Sequence, residues 1–272
     1  MKGYAKPLHE FIEGHKIQFV IPVYQRNYDW LIDNCDQLFS DLVKLSRSNR
    51  CSHFFGSIVT SSADSSYNRL VIDGQQRLTT ISLLLLAGIK AVKAGAIEIS
   101  EKSKIDEAYE VFLKAKFCNS ERKIKLVPIE NDRIAYDKIF NEEDSFDEDS
   151  KVTRNYRHFY NLLTRKPQAL SFDQLLDAIE RLQIISIELD SDDDAQLIFE
   201  SLNSTGLALT EADKIRNYLL MSLTPEEQHM CFKNYWQKIE LATENQPTKF
   251  LRDYLTIQQQ LQRCLLYTSP SP

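Results

Sequence analysis

The stretch Leu70-Val71-Ile72-Asp73-Gly74-Gln75-Gln76-Arg77-Leu78-Thr79-Thr80 decides how the chain folds, because polar residues and a glycine interrupt two strongly apolar segments at one point. Leu70-Val71-Ile72 is short and β-branched, the pattern of a buried strand. Leu78 to Ile89 is long and almost wholly apolar, the pattern of a buried helix. The junction is therefore a strand-to-helix turn. Gly74 can adopt backbone angles closed to other residues, and the helix opening beyond it presents unpaired N–H groups and a partial positive charge that favour an anion. Arg77 adds a charged fork suited to phosphate oxygens, Gln75 and Gln76 add neutral donors and acceptors, and Thr79 and Thr80 add hydroxyls. The competing reading of the same residues is an Asp73 helix cap with Arg77 paired to a carboxylate.

Outward from this point the pattern is α+β. Phe54 to Thr60 and Asn68 to Asp73 read as two strands of a hairpin, joined by the turn-rich 61–66. Together with a buried helix from about Gln75 to Lys93 they make a β-β-α unit whose sheet must cover one side of that helix. Upstream, Leu31, Cys35, Leu38, Leu42 and Leu45 step by four and three, one face of an amphipathic helix ending near Ser48. From about Ser100 the character is helical, with helical spacing around 102–116, 130–140, 151–164, 171–182, 210–222, 225–242 and 247–263. Ile184 to Leu189 stands among these segments as a β-branched strand. The expected organisation is a small mixed sheet with a buried helix over 1–100 and a mainly helical part over 101–264. A return of strand 184–189 to the first sheet would interlock the two. Residues 265–272 lack periodicity and end in a Ser/Pro run, and read as a non-structural tail at a truncation or sequence junction.

Composition narrows the function classes. With 272 residues and 43% hydrophobic content the chain can bury a real core. The longest apolar run, Ile81 to Ile89, is too short to span a membrane. The N-terminus lacks the apolar core of a signal peptide, which makes the cytoplasm the expected location. Five scattered cysteines and five histidines show neither C-x-x-C nor paired metal-ligand spacing, so no disulfide framework or imidazole metal site is expected. A net charge of −6 means that contact with DNA would need a local patch. Lys114, Lys116, Arg122, Lys123 and Lys125 form one basic cluster, and an acidic run from Glu142 to Asp149 follows it. Both also read as solvated surface.

Three further segments carry candidate chemistry. In Ile21-Pro22-Val23-Tyr24-Gln25-Arg26-Asn27-Tyr28-Asp29-Trp30, Gln25 and Arg26 lie among aromatics that can stack on a base, with Arg26 placed for a phosphate. The alternative is aromatic packing at the start of the following helix, the better reading for Trp30. Gly56, inside the strand Phe54 to Thr60, marks either a close approach to the same pocket or a bulge. In 198–213 a helix ends at Gly206 and a new one is capped by Thr210 with Asp213, placing Asn203, Lys214, Arg216 and Asn217 near one loop that faces a pocket or a nucleic acid. Local architecture explains most of that segment. No glycine precedes a lysine, and there is no Walker A loop, G-x-S-x-G elbow, H-E-x-x-H helix or HNH-type pattern. Any nucleotide hydrolysis must therefore use a non-P-loop site.

I-P-x-Y-Q-R-x-Y-x-W at 21–30, F-F-G-S-I-V at 54–59, I-D-G-Q-Q-R-L-T-T at 72–80 and F-E-S-L-N-S-T-G-L-A-L-T-x-A-D at 199–213 resemble, in this order, the N-terminal domain of GmrSD-type modification-dependent restriction enzymes. The resemblance spans about residues 8–222. It implies a ParB/sulfiredoxin-like fold in which Asp73, Gly74, Gln75, Gln76 and Arg77 form a nucleotide-hydrolysis motif, with Tyr24, Gln25 and Arg26 beside it. It also implies restriction of phage DNA carrying modified bases or a modified backbone, and a C-terminal HNH-like nuclease domain or partner beyond the residues of this chain.

Three functions follow as expectations. The first is a nucleotide-binding, NTP-hydrolysing, DNA-sensing module that takes an NTP and Mg²⁺, with Asp73, Gln75, Gln76 and Arg77 catalytic and Tyr24, Gln25, Arg26, Gly56, Gly74, Thr79 and Thr80 binding the nucleotide. The second is a binding module for nucleotide or modified DNA without catalysis. The third is a ParB-like nuclease that uses Asp73 on DNA directly.

Overall fold

The computed structural model describes residues 1–62, 67–118, 123–143, 145–165, 170–190, 192–203, 209–244 and 246–268, and the side chains among them other than those of 200, 202, 203 and 260–268. The chain forms two compact units, one of residues 1–22 and 26–195 and one of residues 23–25 and 196–272.

In the first unit, six strands form one mixed sheet among the described residues. They are β1 (Lys2–Pro7), β2 (Gln18–Val20), β3 (His53–Ser62), β4 (Asn68–Asp73), β5 (Leu126–Val127) and β6 (Leu182–Leu189), in the order β1-β6-β3-β4-β2-β5. The β3–β4 and β1–β6 pairs are antiparallel, and β3–β6, β2–β4 and β2–β5 are parallel. The fold class is α+β, as the sequence pattern indicates. The strand expected over 184–189 enters this sheet between β1 and β3, so the intervening helices are an excursion from the sheet. That pairing explains why residues 101–195 cluster with the sheet and the units divide at Ala195/Gln196.

The helix α3 (Gln75–Lys93) follows β4 and is buried on all sides, as a helix without a polar face must be. Helices α1 (Leu8–Ile12), α2 (Ile32–Arg47), α4 (Ser103–Ala108), α5 (Glu130–Phe140), α6 (Lys151–Thr164) and α7 (Phe172–Glu180) complete the unit. Among them α6 and α7 pack on α3, and α2 packs on α6 and α7. The leucines of α3 share one core with Leu38 and Leu42 of α2, Phe159 of α6 and Phe172 and Leu175 of α7. The segment expected as one helix over 102–116 ends in a π-helical turn at Tyr109–Leu113. The buried Lys125 ammonium donates to the Val111 carbonyl of that turn.

In the second unit, α8 (Ala195–Asn203) is followed by α9 (Glu211–Leu220), α10 (Pro225–Cys231), α11 (Gln237–Ala242) and α12 (Pro247–Thr268), with a π-helical turn at Phe232–Trp236. Thr210 caps α9 in a box with Asp213, and Thr224 caps α10 with Glu227, satisfying the first amides of each helix. Tyr24, Ala212, Leu220, Phe232 and Trp236 form the core of this unit. Residues 265–268, expected to be a tail, continue α12, while 269–272 lie outside the described residues.

Candidate functional site

Gly74 joins β4 to α3 with φ +94°, the left-handed conformation that the turn requires. A Cβ here would stand 2.9 Å from Ile58 Cγ1 and 3.2 Å from Ile58 Cα, so the turn is pressed directly against β3. No side chain caps α3, and its first turn holds no acidic residue. The N-terminal end of this buried, 19-residue helix therefore keeps its amide dipoles directed at whatever occupies the turn.

Arg77 reaches back from the first turn of α3 onto β3, where its Nη1 donates to Ser57 O at 3.1 Å. Its seat is Gly56. A Cβ at that position would meet Arg77 Nε at 2.6 Å and Cζ at 2.8 Å, so the guanidinium lies on bare backbone. Gly56 has φ +117° and sits where the β3–β6 register shifts by one residue. The two readings of Gly56, bulge and close approach, thus describe one device. The bulge lifts the backbone, and the missing side chain admits the arginine.

Arg77 also faces Asp73 one turn back, at 3.8 Å. The acid pairing proposed as the alternative role of Arg77 is therefore present, but it is a loose pair between side chains 31% and 21% exposed. Asp73 and Arg77 are thus partly exposed, whereas Gly74, Gln75 and Gln76 are buried. Burial holds the Asp73 carboxyl above its ordinary range, opposed by Arg77, the Gly74 N–H and Arg26.

A loop over residues 26–30 lies against the start of α3. Gln76 accepts from Asp29 N at 2.8 Å and donates to Asn27 O at 3.2 Å, while Gln75 Nε2 donates to Arg26 O at 3.3 Å. Arg26 Nη1 lies 3.8 Å from Asp29 Oδ2. Both ends of the Gln76 amide thus position the loop. Thr80 turns inward, away from the corner. Its hydroxyl donates to Gln76 O and pairs with Tyr28 OH at 2.8 Å in the core. Thr79 is also buried. Neither threonine hydroxyl lies at the surface expected of a ligand contact, because on a helix enclosed on every side the residues one turn after the glutamines point into the core.

The remaining expected site residues belong to the second unit, where Tyr24 and Gln25 cluster. Tyr24 is a core residue, and burial raises its phenol pKa strongly. Its carbonyl accepts from Arg216 Nε at 2.9 Å. Arg216 is 3% exposed and bonds Glu240 Oε1 and Asp213 Oδ1, each at 2.8 Å, with the Trp236 ring also against it. It is thus a buried strut with all three guanidinium nitrogens engaged, and the expected DNA or pocket contact is corrected accordingly. Lys214 makes a surface pair with Glu211 on its own helix. The side chain of Asn203 lies outside the described residues.

The basic cluster is similarly dispersed. Lys125 is in the core, with its ammonium pKa pushed down to about 8 by burial. Lys114 lies over the Tyr109 ring, and Arg122 falls outside the described residues.

Three contributors had no sequence signal. Asp132, Lys151 and Asn155 reach the 26–30 loop from α5 and α6, more than a hundred residues along the chain. Asn155 lies on the buried face of α6 among apolar residues, where only the tertiary contacts show its role.

Among the described residues, no group of three or more His, Cys, Asp or Glu side chains is arranged to hold a metal ion by itself, and no helix is long and apolar enough to cross a membrane. No curated protein matches the chain. The family model described as GmrSD restriction endonuclease, N-terminal domain, matches residues 8–220. The match covers the whole β4–α3 corner, the 26–30 loop and α9. The chain belongs to the family of GmrSD restriction endonuclease N-terminal domains and is a restriction-system module.

Proposed function

We propose that the module binds a nucleoside triphosphate at the β4–α3 corner, hydrolyses it, and couples that cycle to the sensing of modified DNA. The observation that carries the reading is the uncapped N-terminal end of α3 with the Arg77 guanidinium seated beside it on the bare backbone of Gly56. Amides at a helix start and a fixed cationic fork are the two groups that phosphate oxygens require, and the left-handed Gly74 lets them converge.

Hydrolysis here would rest on positioning and on stabilising the charge of the transferred phosphoryl group. Arg77 and the first-turn amides hold that charge. Gln75, whose amide nitrogen is already oriented by Arg26 O, is placed to direct water. Gln76 keeps Asn27 and Asp29 in register and acts through the loop. Asp73 suits a Mg²⁺ ion held mainly by phosphate oxygens and water, an arrangement that needs only one or two protein carboxylates. Its carboxyl, raised by burial, would gain from a nearby dication. Family membership supports DNA and a C-terminal nuclease domain or partner as the other participants.

Phosphate release from ATP, GTP, CTP and UTP with Mg²⁺, compared between the wild type and Arg77→Ala, tests the reading. Loss of turnover in the variant is expected. Equal activity in the two folded proteins removes this corner as the site. Tight nucleotide binding without turnover in the wild type would instead select a non-catalytic sensor.

A further inference from the structure

We propose that Asp132 and Lys151 are positioning residues for the β4–α3 corner, acting through the loop of residues 26–30; the inference rests on reading that corner as a nucleotide-phosphate site. Asp132 on α5 accepts the Tyr28 N–H at 2.6 Å. Lys151, the first residue of α6, forms an ion pair with Asp29 Oδ1. One turn further along α6, Asn155 donates to Tyr28 OH at 3.0 Å and to Trp30 O at 2.9 Å. Two helices thus hold residues 28, 29 and 30 in succession.

The loop in turn carries the side of the corner that α3 does not supply. Asn27 O and Asp29 N fix Gln76, and Arg26 O fixes Gln75. Asp29 divides its carboxylate between two cations, with Lys151 on Oδ1 and Arg26 on Oδ2 at 3.8 Å. That division matters for an anion. While Lys151 neutralises Asp29, the pull of that carboxylate on Arg26 is shared, and the Asp73 carboxyl feels the Arg26 charge as well. Without Lys151, Asp29 draws Arg26 into a closer pair and away from a phosphate.

A neutral acceptor would satisfy the Tyr28 N–H at lower cost, since a carboxylate at this depth sacrifices hydration. Asp132 instead sits with Lys151 and Asp29, forming a small charged cluster between the helices and the loop. Its environment pushes its pKa up to about 6, through burial and the Asp29 charge, against the Tyr28 N–H and Lys151.

The test uses the full chain and the variants Asp132→Ala, Asp132→Asn, Lys151→Met and Lys151→Arg. It reads the KM and kcat of phosphate release and the hydrogen exchange of the Tyr28 and Asp29 amides. Loss of a hydrogen bond to a charged acceptor predicts a KM raised about 10-fold in Asp132→Ala, with Tyr28 amide exchange faster by about the same factor. Asp132→Asn, which still offers an acceptor, recovers both to within about threefold. Lys151→Met raises KM, and Lys151→Arg restores it. Wild-type exchange at Tyr28 and wild-type KM in folded Asp132→Ala overturn the proposal. Should that variant not fold, a wild-type KM in Lys151→Met overturns it. Exchange is read without nucleotide, so unaltered turnover in Arg77→Ala would sink the nucleotide site while leaving the measured clamp intact.

Discussion

Replacing Gly56 with alanine separates the seat of the arginine from the rest of the corner. The added Cβ stands 2.6 Å from Arg77 Nε, whereas ordinary contact begins near 3.4 Å, so the guanidinium must retreat by about 0.8 Å (3.4 minus 2.6). A misplacement of about 1 Å costs on the order of 10²-fold in rate when geometry carries catalysis. The backbone adds its own cost, because φ +117° is strained for any residue with a Cβ. That strain is roughly 1–3 kcal/mol, or about 2–12 °C in thermal midpoint for a chain of this size. The variant is thus expected to fold, to melt earlier, and to release phosphate about as slowly as Arg77→Ala. Phosphate release with each NTP, measured beside calorimetric unfolding, separates the two effects. A folded Gly56→Ala protein that turns over at the wild-type rate while Arg77→Ala is inactive would refute the reasoning, since the guanidinium would then work equally well off its seat.

Gly74→Ala combines a left-handed φ with overlap against Ile58 Cγ1 and a tight contact with Ile58 Cα, and is expected to lose roughly 2–4 kcal/mol in urea unfolding; a midpoint equal to wild type would show that the turn can relax. Arg216→Met leaves Glu240 and Asp213 without their cation and should cost roughly 3–5 kcal/mol. Calorimetry checks this, and an unchanged unfolding profile would show that the strut is dispensable. For Asp132 the folded pKa of about 6 exceeds the ordinary carboxylate value of 3.8. The contribution of this group is therefore fully present below the lower value and is lost as pH rises through about 6. The stability of the wild type relative to Asp132→Asn should thus fall between pH 4 and pH 7 and stay level above that, and a difference that rises with pH would reverse the assigned cause.

The β4–α3 corner was legible because two periodicities meet there at a glycine. Leu70 to Ile72 cannot continue as a helix through Gly74, and Leu78 to Ile89 is too long and too uniformly apolar to be a strand. The edges of the sheet were not legible. Strand β1 exposes Lys2 to Ala5 and owes its conformation to pairing with β6, nearly two hundred residues away. Strands β2 and β5 have three and two residues, too short for alternation to register. The site divides in the same way. Gly56, Gly74 and Arg77 were visible because a glycine within a strand and a charge beside an apolar run both break local rules. Thr79, Thr80 and Arg216 look equally polar in sequence, yet only tertiary packing shows that the threonines face the core and that Arg216 is fully engaged by Tyr24 O, Asp213 and Glu240.

The role of the helices after α3 follows from that contrast. A small sheet with one buried helix leaves the far side of the helix to be covered, and α6 and α7 cover it. The first two turns of α6 are also where Lys151 and Asn155 meet the 26–30 loop. The same helix that shields the leucines of α3 therefore fixes the loop that orients its glutamines. Core packing and site geometry are consequently coupled at the start of α6. A tilt of α6 therefore bears on Asp29, and through it on the Gln76 contact, as well as on the core. Within this one unit, residues 72–80 supply Arg77 and the turn, and Asp132, Lys151 and Asn155 hold the opposing loop in place.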